Sequence, residues 1–205
     1  MELGLITVII SLLLFWPLFG LIALLIYIDS RGPILYRQMR IGEHGRLFSM
    51  LKFRSMYANS DPAIHRAHVQ RLIVENLSPE QLNGHKNGSL KLAEDSRITR
   101  VGRIIRKTSL DELPQLINVF RGEMSLVGPR PPLVYELDVY REWHKKRLDV
   151  LPGVTGVWQV KGRNRVSFDE MVRMDLDYIE HQSLWLDFKI LLQTPWAAIH
   201  TNGAG

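Results

Sequence analysis

Two acids stand side by side at Asp111-Glu112, directly after a run of basic side chains. Arg97, Arg100, Arg103 and Arg106 recur at every third position, Lys107 follows the last, and no acid interrupts them. Further on, Arg130 is set between prolines in Pro129-Arg130-Pro131-Pro132. A carboxylate beside guanidinium groups stays ionised. An ionised Asp can attack phosphorus and carry an acyl phosphate, and Arg can clamp a phosphate with two parallel hydrogen bonds. The pattern predicts a site for a diphosphate substrate attacked by a carboxylate. Plainer readings compete at each position. The Arg run also fits a solvated helix face or a row of contacts to lipid phosphate. Ser109 to Glu112 matches a capping box, acids favour helix N-termini, and Pro114 suits a first helical turn. Pro129 to Pro131 also fit an ordinary rigid turn with an exposed Arg.

The elements around this stretch must position it. Residues 29–57 predict turn, strand, turn, strand, with Ser30-Arg31-Gly32-Pro33 and residues 41–45 as the turns. In Lys52-Phe53-Arg54-Ser55-Met56 two cations alternate with apolar residues, so Lys52 and Arg54 either project into the site or meet lipid headgroups. Residues 62–77 predict an amphipathic helix with Val69, Leu72, Ile73 and Leu77 on one face. His65 and His68 on it are either metal ligands or a solvated face. Residues 78–95 read as a loop, lying over the site or merely connecting. Leu113, Leu116, Ile117 and Phe120 give the helix after the acid pair its buried face. Downstream, the spacing predicts a helix over 135–149, a short strand over 157–160 and a helix over 167–182. Arg163, in Gly162-Arg163-Asn164, either approaches substrate or sits in a basic loop. Asp175 and Asp177 face the sugar or magnesium, or else lie on the surface. The apolar stretch from Trp185 to Trp196 is too short to span a bilayer. It fits an amphipathic element at the membrane surface, with a homodimer contact as the competing use.

The chain has 205 residues, with 26 Lys and Arg against 21 Asp and Glu, a formal charge of +5. That balance points to an anionic partner: nucleic acid, anionic lipid or a phosphorylated substrate. The absence of Cys excludes disulfides, thiolate metal sites and a Cys nucleophile. Leu3 to Ile28 is an uncharged run of 26 residues. As a helix it would be roughly 39 Å long, against a hydrocarbon core of roughly 30 Å. Glu2 before the run and Tyr27-Ile28-Asp29 after it do not suit a signal peptide. Pro17 predicts a kink. The run then either spans the bilayer tilted or turns back so that both ends face the cytoplasm. Arg31, Arg37, Arg40 and Arg46 place the remainder on the cytoplasmic face. The fingerprints of Walker A loops, Rossmann sites, zincins and α/β-hydrolases do not occur.

The runs KFRSM (52–56), RITRVGRIIRKTSLDELPQLINV (97–119), SLVGPRP (125–131), GVTGVWQVKGRN (153–164) and DLDYIEHQSLWLDFKILLQT (175–194) resemble the bacterial sugar transferase family. These are monotopic phosphoglycosyl transferases. The resemblance covers nearly the whole chain, in the family's minimal form with no additional N-terminal domain. It implies an α+β fold: residues 1–28 as a re-entrant membrane helix and 29–205 as a catalytic domain with amphipathic surface helices. It implies transfer of a sugar 1-phosphate from a UDP-sugar to undecaprenyl phosphate, with release of UMP, as the first membrane step of glycan assembly at the bacterial inner membrane. Asp111 matches the nucleophile and magnesium neighbour, and Glu112 its partner acid. Lys52, Arg106 and Arg130 match basic positions near the diphosphate, and Pro129 to Pro131 a motif associated with uridine. Nucleic acid has no part in this chemistry. Pro17 matches the helix-breaking proline, though Trp16 stands where the family has Ser. A non-enzymatic basic membrane scaffold and a glycosyltransferase releasing UDP are the alternatives. The sugar is not readable from spacing.

Overall fold

The computed structural model describes residues 2–57, 63–78, 97–162 and 166–200, with the side chains of 2–15, 63–65 and 198–200 outside that description. Helix α1 (Glu2–Asp29) is helical on both sides of Pro17, and 28 residues make it roughly 42 Å long. Ile22 and Ile26, one turn apart, are buried with Phe53 and Ile105. Phe19 meets the Phe53 ring edge-on at 5.5 Å between centroids. Trp16, Leu21, Leu24, Leu25 and Ile28 are exposed. The described part of α1 is thus apolar on both its packed and its open face. Among the described residues no helix is long and apolar enough to cross a membrane.

The predicted hairpin forms. Strands β1 (Leu35–Ile41) and β2 (Leu47–Phe53) pair antiparallel, with Leu35 opposite Phe53 and Ile41 opposite Leu47. The register puts Phe48 and Met50 into a cluster with Met124. Because β2 ends at Phe53, Arg54 does not share the outlook of Lys52. Its guanidinium instead donates to Ser30 O (2.6 Å), Ser30 Oγ (2.8 Å) and Arg31 O (3.1 Å) at the end of α1. Gly32, at φ 125°, lies against that guanidinium, and a Cβ there would collide with it.

Helix α2 (Ala63–Val74) buries Ile73, with Val69 beside it, against Tyr140, Phe168 and Val172. Helix α3 (Arg100–Lys107) is capped by Thr99, whose Oγ1 accepts from Gly102 N–H at 2.9 Å. Asp29 Oδ2 accepts from Val101 N–H at 2.9 Å and ties the end of α1 to the start of α3. Helix α4 (Gln115–Phe120) follows Pro114. Strands β3 (Ser125–Val127) and β4 (Gly153–Thr155) form a second, parallel pair.

The expected helix over 135–149 is three short pieces: 3-10 turns at Val134–Val139 and Lys146–Asp149 around helix α5 (Glu142–Lys145). The break lies at Tyr140 and Arg141, which are extended. The Arg141 N–H donates to His144 Nδ1 at 3.1 Å rather than continuing a helix. The expected strand at 157–160 is helix α6 (Val157–Lys161). Its Val-rich sequence suits a strand, but the pairing partner of β3 is 153–155, and extended Gly156 then opens a new helix. Helix α7 (Phe168–His181) carries the capping box of Ser167 and Glu170. Helix α8 (Leu184–His200) buries Ile190 and Ala197, while Trp185, Phe188, Leu192 and Trp196 form an exposed apolar stripe.

Candidate active site

The acid pair sits in the joint between α3 and α4. After Lys107 the chain reverses through Ser109, a left-handed residue at φ 57°, into a single 3-10 turn at Leu110–Glu112. Leu110 and Leu113 turn toward the cluster under α1, which leaves the two acids on the other side. The capping box expected between Ser109 and Glu112 is absent: the Ser109 side chain makes no cap bond, and Glu112 N–H donates to the Ser109 carbonyl at 3.2 Å. The Glu112 side chain is therefore available elsewhere. Its Oε1 accepts from Lys52 Nζ at 2.8 Å and from Arg130 Nη1 at 3.3 Å.

The two neighbouring carboxyls are driven apart electrostatically. Burial works against charge on Glu112, but Lys52 and Arg130 outweigh it and hold the group down at about 2. Asp111 is 9% exposed. Burial and the adjacent Glu112 charge raise it from 3.8 to about 6, against the pull of Lys52, Arg106 and Arg130. Among the described residues its carboxylate accepts no hydrogen bond. Burial pushes the Lys52 ammonium below its usual value, opposed by Glu112. The geometry is thus one committed acid that organises two cations, and one uncommitted acid beside them that ionises near neutral pH.

Asn118, a residue that sequence reasoning missed, joins α4 to the hairpin. It is fully buried. Its Oδ1 accepts from Leu51 N–H (3.0 Å), and its Nδ2 donates to Ser49 O (2.9 Å) and Glu123 Oε2 (2.6 Å). These bonds fix the residue next to Lys52 and so aim the ammonium at Glu112. The apolar spacing could not have found it, because Asn118 lies on the side of the helix opposite Leu113, Leu116, Ile117 and Phe120, and Phe120 is exposed while Asn118 is buried.

The Pro129-Arg130-Pro131-Pro132 turn has every carbonyl taken. Pro129 O accepts from Gly153 N–H, Arg130 O from Arg147 Nη2, Pro131 O from Arg40 Nη1 and Pro132 O from Ile41 N–H, at 2.8, 3.2, 2.9 and 3.0 Å. Arg40, counted from the sequence among the flanking charges, is buried, and burial and then the Arg130 charge lower it to about 10. A groove of about 210 Å³ opens beside Arg130, lined by Arg40, Pro131, Leu72, Trp158 and Phe168 among others. Among the described residues the indole N–H of Trp158, buried there, has no partner.

Of the expected site residues, Lys52, Asp111, Glu112 and Arg130 meet, and the Arg106 charge acts on Asp111. Pro129 and Pro131 are buried supports of Arg130. Pro17 lies away in α1, and Arg163 falls outside the described residues. Asp175 is neither at the surface nor at the acid pair: it is buried against Arg147 at 2.7 Å. Asp177 is exposed beside His181. His68 has no cluster to join, since among the described residues no three metal-binding side chains converge.

Residues 3–201 match the family model for bacterial sugar transferases. The chain is 45% identical over 174 residues to the undecaprenyl-phosphate galactose phosphotransferase of Salmonella typhimurium, covering 84% of this chain and 35% of that protein. It is 42% identical over 189 residues to the galactosyl transferase CpsE of Streptococcus agalactiae, covering 90% and 39%. The exopolysaccharide production protein ExoY of Rhizobium meliloti is 40% identical over 195 residues, covering 95% and 83%. The chain thus spans little more than a third of the first two relatives and most of the third. It belongs to the bacterial sugar transferase family.

Proposed function

We propose that this protein transfers a sugar 1-phosphate from a UDP-sugar to undecaprenyl phosphate by double displacement. An Asp111 oxygen attacks the β-phosphorus, the bond to the bridging oxygen breaks, and UMP leaves. A phosphate oxygen of undecaprenyl phosphate then attacks the same phosphorus, the Asp111 carboxylate departs, and an undecaprenyl diphosphate sugar is released. The reading rests on one observation above all: Glu112 takes both salt bridges, so Asp111 stays uncommitted beside Lys52, Arg106 and Arg130. Those cations offset the negative charge of a diphosphate. Glu112 orients Lys52 and Arg130. Family membership and the relatives' names support the reaction class.

Asp111 alone suits a magnesium ion held chiefly by substrate phosphates, the usual manner for this ion. Bound there, it would neutralise diphosphate charge. We place residues 1–28 in one leaflet of the inner membrane, re-entering at Pro17, with 29–205 on the cytoplasmic face. The open faces of α1 and α8 support this, because apolar stripes carrying Trp16 on α1 and Trp185 and Trp196 on α8 suit the headgroup boundary. Membrane lipid, not a second copy, covers α8 in this reading.

The test is incubation with a panel of UDP-sugars, undecaprenyl phosphate and magnesium. UMP release, and a phosphosugar adduct on Asp111 when the lipid is omitted, are expected. UDP release would make the protein a glycosyltransferase. A folded protein that releases neither nucleotide would return the scaffold reading.

A further inference from the structure

Arg147 and Asp175 form an ion pair at 2.7 Å with side chains 3% and 1% exposed. The same Arg147 Nη2 donates to the carbonyl of Arg130 at 3.2 Å. Its Nη1 donates to Tyr140 Oη at 3.1 Å, and that hydroxyl donates onward to Glu136 Oε2 at 3.2 Å. Asp175 comes from α7, so this strut links a distant helix to the turn that carries Arg130. Burying two charges is a weak route to stability, since apolar replacements of similar volume often serve as well. Apolar side chains, however, cannot donate to a backbone carbonyl. The flanking prolines narrow the backbone around Arg130, yet the Arg130–Pro131 peptide plane still needs a partner to set its tilt.

We propose that Arg147, clamped by Asp175 and Tyr140, is a positioning residue for Arg130: it sets the Arg130 peptide so that the guanidinium lies on Glu112 and faces the substrate diphosphate. This rests on the phosphate-binding role given to Arg130 under the proposed function. Arg147 meets the turn at the Arg130 carbonyl, and its nearly covered side chain borders the same groove as Arg130, so the Arg130→Ala background separates an effect through Arg130 from a direct one.

The experiment is a cycle of variants read by UMP release. Arg147→Met with Asp175→Leu removes both charges together and keeps side-chain bulk. Arg147→Lys keeps the charge opposite Asp175 but loses the fork that reaches the carbonyl. Each is made in the parent and in Arg130→Ala, with melting temperature measured alongside. In the parent, both should raise KM for the UDP-sugar about tenfold, the scale of one lost hydrogen bond from a charged donor, with a smaller change in kcat. In Arg130→Ala the same changes should move KM less than about twofold, because nothing is left to position. Equal effects in both backgrounds would overturn the proposal, and so would a lowered melting temperature with KM unchanged. If Arg130→Ala alone leaves KM untouched, the phosphate-binding role of Arg130 fails, and that result is read before Arg147 is altered.

Discussion

Replacing Asp111 with Asn should destroy the reaction and stabilise the protein at the same time. The rise of this carboxyl from 3.8 to about 6 means that its charged form is disfavoured in the fold. At pH 7.5 the difference amounts to about 3 kcal/mol. The sign follows from proton binding. Between about pH 4 and 6 the folded protein holds this proton more tightly than the unfolded chain does, so stability falls as pH rises through that window and the full cost is present above it. Asn carries no charge and avoids the cost. In a protein of this length each kcal/mol moves the melting temperature by roughly 2–4 °C, so a gain of about 6–12 °C is expected at pH 7.5. It should be about half as large near pH 5 and vanish below about pH 4. The assay is a pair of thermal melts in detergent at pH 7.5 and pH 5, with UMP release measured on the same samples. A lower melting temperature at pH 7.5, or an equal gain at both pH values, would refute the electrostatic reasoning. Retained turnover would refute the nucleophile.

Other perturbations probe the remaining parts. Glu112→Gln removes the like charge next to Asp111 and frees Lys52 and Arg130 to act on it, so the acid limb of the first half-reaction should move down from near pH 6 by about one unit or more. An unmoved limb would mean that another group sets it. Chelating divalent metal should abolish UMP release while leaving the melting temperature unchanged. A large fall in melting temperature would instead indicate a structural metal. Asn118→Leu loses the three hydrogen bonds of a buried amide and should lower stability by about 2–4 kcal/mol in urea unfolding. Gly102→Ala puts a Cβ against the Ser55 carbonyl oxygen, so α3 must shift from the hairpin. A melting temperature within error of the parent would contradict that close approach.

What could be read from the sequence was chemistry concentrated in one stretch. Asp111, Glu112 and Arg130 announce themselves by residue type and by the prolines around Arg130, and the hairpin carrying Lys52 by its turn signals. The partners of those groups were not legible, because each is made across long sequence separation. Lys52 and Arg54 look equivalent in a strand pattern, and only the end of β2 at Phe53 sends one to Glu112 and the other to Ser30. Arg40 and Asp175 look like surface charges until their distant partners cover them. Local propensity also favoured a strand at 157–160, where Gly156 and the pairing of 153–155 with β3 impose a helix.

Helix α1 has the sequence of an anchor and the packing of a wall. Ile22 and Ile26 occupy the same cluster as Phe53 and Ile105, and Asp29 holds the first turn of α3, the helix that leads into Asp111. Cutting the chain after α1 would therefore not release a soluble catalytic unit. It would strip one side from the support of the acid pair and leave Phe53 and Ile105 facing water. Exchanging this helix for an unrelated membrane segment should fail for the same reason, even where the replacement inserts well. With α1 in the membrane as proposed, the depth of Asp111 relative to the lipid is not set by a flexible tether. It is fixed by contacts that also hold the fold together, so the height of the reaction above the bilayer and the stability of the enzyme are a single inherited property.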